Sequence, residues 1–299
     1  METAMDYREH RYTSACGQLE LFARIYGEGE GSEEGGGQKK PPLLLMHGLT
    51  RNSADFEGLA AHLAGNYMLI VPDQRGRGLS PDDPDPTNYR PPVYAEDMFA
   101  LLADLNVEQP GLIGTSMGGL MAIVMNAMKP ETFPAVIFND VGPVLMDEGL
   151  ARIGGYVGGG APMEDWDAAA KACADINGYA YPNYGREDWQ SWARRTCRQL
   201  PDGRVSFAYD PAIAEGFADV TDSPQPDLWP MWELLGNTPV LVLRGALSDL
   251  LSPDTVATMQ QRHRGPFVSQ VIPDIGHAPF MDEPEALAAI IPFLKEHVG

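Results

Sequence analysis

The sequence predicts an α/β protein, with a mostly parallel, doubly wound sheet interrupted by an inserted helical cap. Three observations carry this. Short apolar runs at Leu43 to Met46, Met68 to Val71, Leu112 to Gly114, Val136 to Asn139, Val240 to Leu243 and Val268 to Ile272 read as buried parallel strands. Helical patterns alternate with them, over Phe56 to Ala64, Val93 to Leu105, Leu120 to Met128, Pro253 to Arg262 and Glu283 to His297. The alternation then breaks between about Gly142 and Leu235, where helical patterns such as Glu164 to Ile176 and Glu187 to Leu200 recur without a clear strand. The expected division is a core of 1–141 plus 236–299 and a cap of 142–235. Ahead of the parallel strands, Arg11 to Thr13 and Leu19 to Tyr26 read as a hairpin, and Gly27 to Gly37 as a solvated Gly/Glu-rich loop.

Composition narrows the function classes. The chain has 299 residues, 44% of them hydrophobic, and a formal charge of −21. That size supports a large core. The acidic excess argues against nucleic acid and against anionic membrane surfaces, since neither basic patch nor membrane-inserting segment is visible. Cys16, Cys173 and Cys197 are widely spaced and suggest reduced thiols rather than disulfides or a metal site. A polar N-terminus without an apolar signal core favours the cytoplasm. The sequence leaves homo-oligomerisation open.

The chemistry concentrates at Gly114-Thr115-Ser116-Met117-Gly118-Gly119, where an apolar strand turns sharply into a helix. Such an elbow lifts a serine hydroxyl clear of the sheet, and a Cβ at either flanking glycine would collide with the turn. A serine hydroxyl needs a base to take its proton, and the base needs an acid. Among six histidines, His277 follows the last strand within a Gly276-His277-Ala278-Pro279 loop, at the edge where sheet ligands bind. Asp249, six residues beyond the strand Val240 to Leu243, gives the chain order Ser, Asp, His and is the favoured acid; Asp140, directly after Val136 to Asn139, is the alternative. The His47-Gly48-Leu49-Thr50 loop ends another strand beside the elbow, so the backbone N–H groups of Leu49 and Met117 are assigned to an oxyanion hole. His47 and Arg75 read as residues that fix loops, and Met117, Met121, Met125 and Met128 as a core stripe.

All five tryptophans, Trp166, Trp189, Trp192, Trp229 and Trp232, fall in the cap. They are candidates for an aromatic wall over the serine as well as for the cap's own core.

Taken together, the His47-Gly48 loop, the Asp73 to Ser80 segment, the Ser116 elbow, the cap insertion, Asp249 and His277 resemble the α/β-hydrolase family over almost the whole chain, in its serine-nucleophile, esterase- and lipase-like branch. The resemblance implies a cofactor-free hydrolase that forms an acyl-enzyme on Ser116. A serine at position 116 is unlike the haloalkane dehalogenases and epoxide hydrolases. The loop at His47 also lacks the H-G-G-P-G pattern of proline iminopeptidases. The leading expectation is a carboxylesterase for small or medium apolar esters, with Ser116, His277 and Asp249 as its triad and no metal. The alternative is a lactonase or carbon–carbon bond hydrolase using the same triad, for which a basic side chain such as Arg152 or Arg194 should face Ser116. A third reading is a ligand receptor with vestigial hydrolysis.

Overall fold

The computed structural model describes residues 6–28, 40–221 and 225–299, with the side chains of 218–221 left undescribed. Most of the Gly/Glu-rich run at 27–37 lies outside these residues. In chain order the elements are strands β1 (Arg8–Thr13), β2 (Glu20–Tyr26) and β3 (Pro42–Met46), helix α1 (Glu57–Leu63), β4 (Met68–Asp73), α2 (Pro91–Asp104), β5 (Gly111–Thr115), α3 (Met117–Met128) and β6 (Val136–Asn139). Then come α4 (Asp147–Gly154), α5 (Trp166–Asn177), α6 (Arg186–Thr196), β7 (Cys197–Gln199), β8 (Val205–Phe207), α7 (Ile213–Thr221) and α8 (Trp229–Glu233). The chain closes with β9 (Val240–Gly245), α9 (Pro253–Arg262), β10 (Phe267–Ile272) and α10 (Pro284–His297).

Eight strands form one sheet in the order β1-β2-β4-β3-β5-β6-β9-β10. The β1–β2 and β2–β4 pairs are antiparallel, and every pair from β4 through β10 is parallel. Side chains alternate between faces, which explains why both faces need cover. On one side Leu44, Leu112, Val136, Phe138, Val240 and Val242 pack under α2 and α3. On the other, Leu43, Leu45, Ile113, Ile137, Leu241 and Leu243 share a core with α1 and α10. Continuous apolar strands are therefore the sequence trace of a sheet buried on both faces; β10, expected to be buried, is instead the sheet edge and leaves Val268 and Val271 exposed. Met117, Met121 and Met125 join the core, whereas Met128, in the last turn of α3, is 45% exposed.

The segment between β6 and β9 is mainly helical, with one addition. The expected helix Glu187 to Leu200 ends at Thr196, and Cys197–Gln199 pairs antiparallel with Val205–Phe207 as a two-stranded ribbon. Three-residue strands are too short for a periodicity signal. Cys173 and Cys197 are buried free thiols, and Cys16 is exposed. No helix among the described residues is long and apolar enough to cross a membrane.

Close packing at the elbow follows from its glycines. A Cβ on Gly114 would lie 2.4 Å from the Gly118 carbonyl oxygen, and one on Gly118 would lie 2.0 Å from that of Met46. Gly118→Ala must therefore push α3 away from β3. It is expected to cost about 1–3 kcal/mol or more and to lower the thermal unfolding midpoint; an unchanged midpoint would mean that α3 and β3 separate freely.

Candidate active site

Strand β5 ends at Thr115, and Ser116 takes φ 54° and ψ −118° before α3 begins at Met117. A non-glycine residue in this region is strained and persists only where its surroundings hold it. The Ser116 N–H donates to the Asn139 carbonyl at 3.1 Å, tying the elbow to the end of β6. Asn139 also donates its side-chain amide to Thr115 Oγ1 at 3.0 Å and to the Pro279 carbonyl at 2.7 Å. The elbow and the His277 loop are thus fixed to one residue.

His277 Nε2 lies 2.9 Å from Ser116 Oγ. Its Nδ1 lies 2.8 Å from Asp140 Oδ2. Asp140 is fully buried, and its carboxylate also accepts from the Gly245 N–H at 2.9 Å and the Ser248 hydroxyl at 2.7 Å. The acid beside the imidazole is therefore Asp140, and the expectation for Asp249 is corrected. Both residues follow strands, but β6 lies directly beside β5 in the sheet, so the residue after Asn139 emerges next to the elbow. After β9 the chain turns so that Ser248 faces Asp140. Asp249 points toward the cap, where Arg152 on α4 binds it through Nε at 2.6 Å and Nη2 at 3.0 Å. Burial alone would raise the Asp249 carboxyl; the Arg152 guanidinium outweighs it and holds the group below the usual carboxylate range.

The other expected loops meet at the same edge. The Leu49 and Met117 N–H groups donate to no acceptor among the described residues, and Met117 opens α3, where amides are free and the helix dipole is positive. His47 is fully buried. Its Nε2 accepts from the Gln74 N–H at 3.0 Å, which leaves Nδ1 to donate to the Gly48 carbonyl at 2.7 Å. Burial pushes its pKa down to about 3, so it is a neutral loop tie. Arg75 makes a two-pronged pair with Asp97, both contacts at 2.8 Å, and reaches Asp83 at 2.5 Å.

Arg77 is a positioning residue that the sequence pattern did not mark out. It is buried without a carboxylate partner among the described residues; it donates to the Leu49 carbonyl at 2.9 Å and to Tyr94 Oη at 2.8 Å, and Nη2 reaches Met117 Sδ at 3.8 Å. It therefore touches both residues whose amides are free. Its place in Asp73-Gln74-Arg75-Gly76-Arg77-Gly78 was the available signal.

Of the five tryptophans, only Trp192 lines the cavity at Ser116, among the residues described there. Trp189 and Trp192 pack with Tyr181 and Phe280 in the cap core. Trp166 lies under Arg194, Trp229 under Arg262, and Trp232 is buried against Phe138 with its N–H on the Met259 carbonyl. These four pack against other side chains rather than the cavity. Arg152 and Arg194 likewise do not line the cavity; Arg51 does.

A family model described as the alpha/beta hydrolase family matches residues 43–290. The chain belongs to the alpha/beta hydrolase family. Within it, the chain is 36% identical over 257 residues to the 3-hydroxybutyrate-oligomer hydrolase of Cupriavidus necator, covering 82% of this chain and 85% of that protein. It is 31% identical over 300 residues to the 2-(acetamidomethylene)succinate hydrolase of Mesorhizobium japonicum, covering 98% and 99%. The crystal structure of an alpha/beta hydrolase from Novosphingobium aromaticivorans matches at a TM-score of 0.87 and 42% identity, over 98% of this chain and 99% of that one.

Substitution of each acid in turn tests the assignment. Asp140→Asn is expected to lower kcat on any hydrolysed substrate by about 10³–10⁴-fold, as removal of a triad acid does. Asp249→Asn should leave the Ser116–His277 pair in place and cost less than about tenfold. Steady-state kinetics on both variants distinguish the two; a larger loss at Asp249 would reverse the assignment.

Proposed function

We propose that this hydrolase cleaves carboxylic esters through an acyl-enzyme on Ser116, with His277 as general base and Asp140 as its orienting acid. The observation that carries the reading is the unbroken hydrogen-bond chain from Ser116 Oγ through the imidazole to a buried carboxylate. His277 Nε2 takes the hydroxyl proton as Oγ attacks the ester carbonyl. Asp140 holds Nδ1–H and so fixes the tautomer that leaves Nε2 free to accept; it also stabilises the imidazolium that forms. The Leu49 and Met117 N–H groups receive the negative charge on the carbonyl oxygen. One such donor is worth roughly 3–4 kcal/mol of transition-state stabilisation. The imidazolium then gives its proton to the departing alcohol. Water, activated by the same imidazole, releases the acid and restores Ser116.

Esters of short hydroxy acids are the favoured substrates. The Cupriavidus necator relative, by its name, hydrolyses 3-hydroxybutyrate oligomers, which are linear esters. A second reading draws on the relative that hydrolyses 2-(acetamidomethylene)succinate. That substrate carries carboxylates, and the same serine and imidazole would act on it.

Wild-type protein should hydrolyse short-chain nitrophenyl esters and 3-hydroxybutyrate oligomers, with both activities reduced at least about 10³-fold in Ser116→Ala. Initial rates by absorbance and by product chromatography test this. Undiminished ester turnover in Ser116→Ala would reject the nucleophile.

A further inference from the structure

Two unlike cavities meet at Ser116. One is apolar, lined by Tyr94, Met117, Leu120, Val141, Leu145 and Phe217 among others. The other passes His277 and is mixed, with Thr50, Arg51, Asp55 and Asn177 facing it beside Ile176 and Trp192 among others. Arg51 is the one Arg or Lys side chain among the described residues of the second arm.

Arg51 is incompletely partnered. Its Nε and Nη2 both donate to a single oxygen of Asp55, at 3.0 Å and 2.7 Å. A guanidinium carries five N–H donors, and Nη1 has no hydrogen-bond partner among the described residues. The side chain is 17% exposed, and its cation lies over the rings of Trp192 at 4.2 Å and Phe280 at 5.3 Å. Burial would lower its pKa, but Asp55 overrides this and raises it, so the charge is kept. Arg51 Cγ and Ser116 Cβ each lie 3.6 Å from the point where a Cβ on Gly48 would sit, which puts them no more than about 7 Å apart. A guanidinium with an unused donor, on a side chain that lines the same cavity as Ser116, can receive an anion there.

We propose that Arg51 is the specificity-determining residue of a carboxylate subsite: the arm that holds Arg51 takes the free carboxylate end of a short ester while the apolar arm takes its hydrocarbon part. The proposal rests on the ester reading above and names the substrate class for it. The Arg51–Asp55 pair is neutral before a ligand binds, which suits a monoanion better than a phosphate dianion. In a chain of formal charge −21, long-range attraction cannot supply this preference. The unused donor of Arg51 supplies it locally.

The test pairs the linear dimer of 3-hydroxybutyrate with the same dimer capped as its terminal carboxamide. Affinities are measured by calorimetry on Ser116→Ala, where neither ligand is consumed, and kcat/KM on the protein with Ser116 intact. The free acid is expected to bind at least tenfold more tightly than the amide in Ser116→Ala. Adding Arg51→Gln should cut that ratio at least tenfold, and Arg51→Lys should retain part of it. The kcat/KM ratio should follow the same pattern. Equal binding of acid and amide, or the same ratio with and without Arg51→Gln, would overturn the subsite. If the Arg51 variants do not fold, the acid-to-amide ratio in Ser116→Ala still supports or overturns it. Absence of turnover together with preserved acid preference would reject the ester reading and leave the subsite standing.

Discussion

Among the described residues, Asp140 carries the only carboxylate hydrogen-bonded to the His277 imidazole, and it does so from complete burial. A charge in such a place is tolerated only when it is well hydrogen-bonded, since each unpaired oxygen would forfeit its hydration without return. The partners here come from different parts of the chain: the Gly245 N–H at the end of β9, the Ser248 hydroxyl in the loop beyond it, and the imidazole in the loop after β10. One carboxylate thereby registers two strand-end loops against the elbow. Positioning of the His277 imidazole and cohesion of the sheet edge are the same interaction.

The rest of the edge is organised by similar ties. Asn139 links the elbow to the Pro279 carbonyl, neutral His47 links its loop to Gln74, and Arg77 spans Leu49 and Met117. Each of these polar groups is fixed by backbone or buried partners. Such preorganisation is what lets amide dipoles stabilise a developing charge without reorganising at the moment of reaction. The strain at Ser116 is sustained by this framework.

Much of this was legible in the sequence, for identifiable reasons. A sheet buried on both faces requires uninterrupted apolar strands, and Leu43 to Met46 and Val240 to Leu243 show them plainly. The elbow needs glycines at 114 and 118, and the close approach of Gly118 to the Met46 carbonyl supplies the cause. The choice between Asp140 and Asp249 was not legible. Both follow apolar strands, and the decision depends on β6 lying beside β5 and on Ser248, not Asp249, turning inward. For the tryptophans, i,i+3 spacing marks a shared face without saying what the face meets, so packing and cavity wall both stayed open, and only Trp192 among the described residues reaches the cavity. Arg51 was hidden behind Arg152 and Arg194, which sit in the cap by sequence but are held by Asp249 and Trp166.

The cap accordingly contributes shape more than chemistry. Its aromatic cluster supports one wall, while the charged pair at the cavity, Arg51 and Asp55, comes from the segment after His47. The proposed mechanism has Asp140 acting through His277 on Ser116, and active-site labelling by a fluorophosphonate tests that dependence without reference to any substrate. Peptide mapping should locate the adduct on Ser116, with a labelling rate that falls at least about a hundredfold in Asp140→Asn and changes little in Asp249→Asn. Labelling of Asp140→Asn at the wild-type rate would contradict the account.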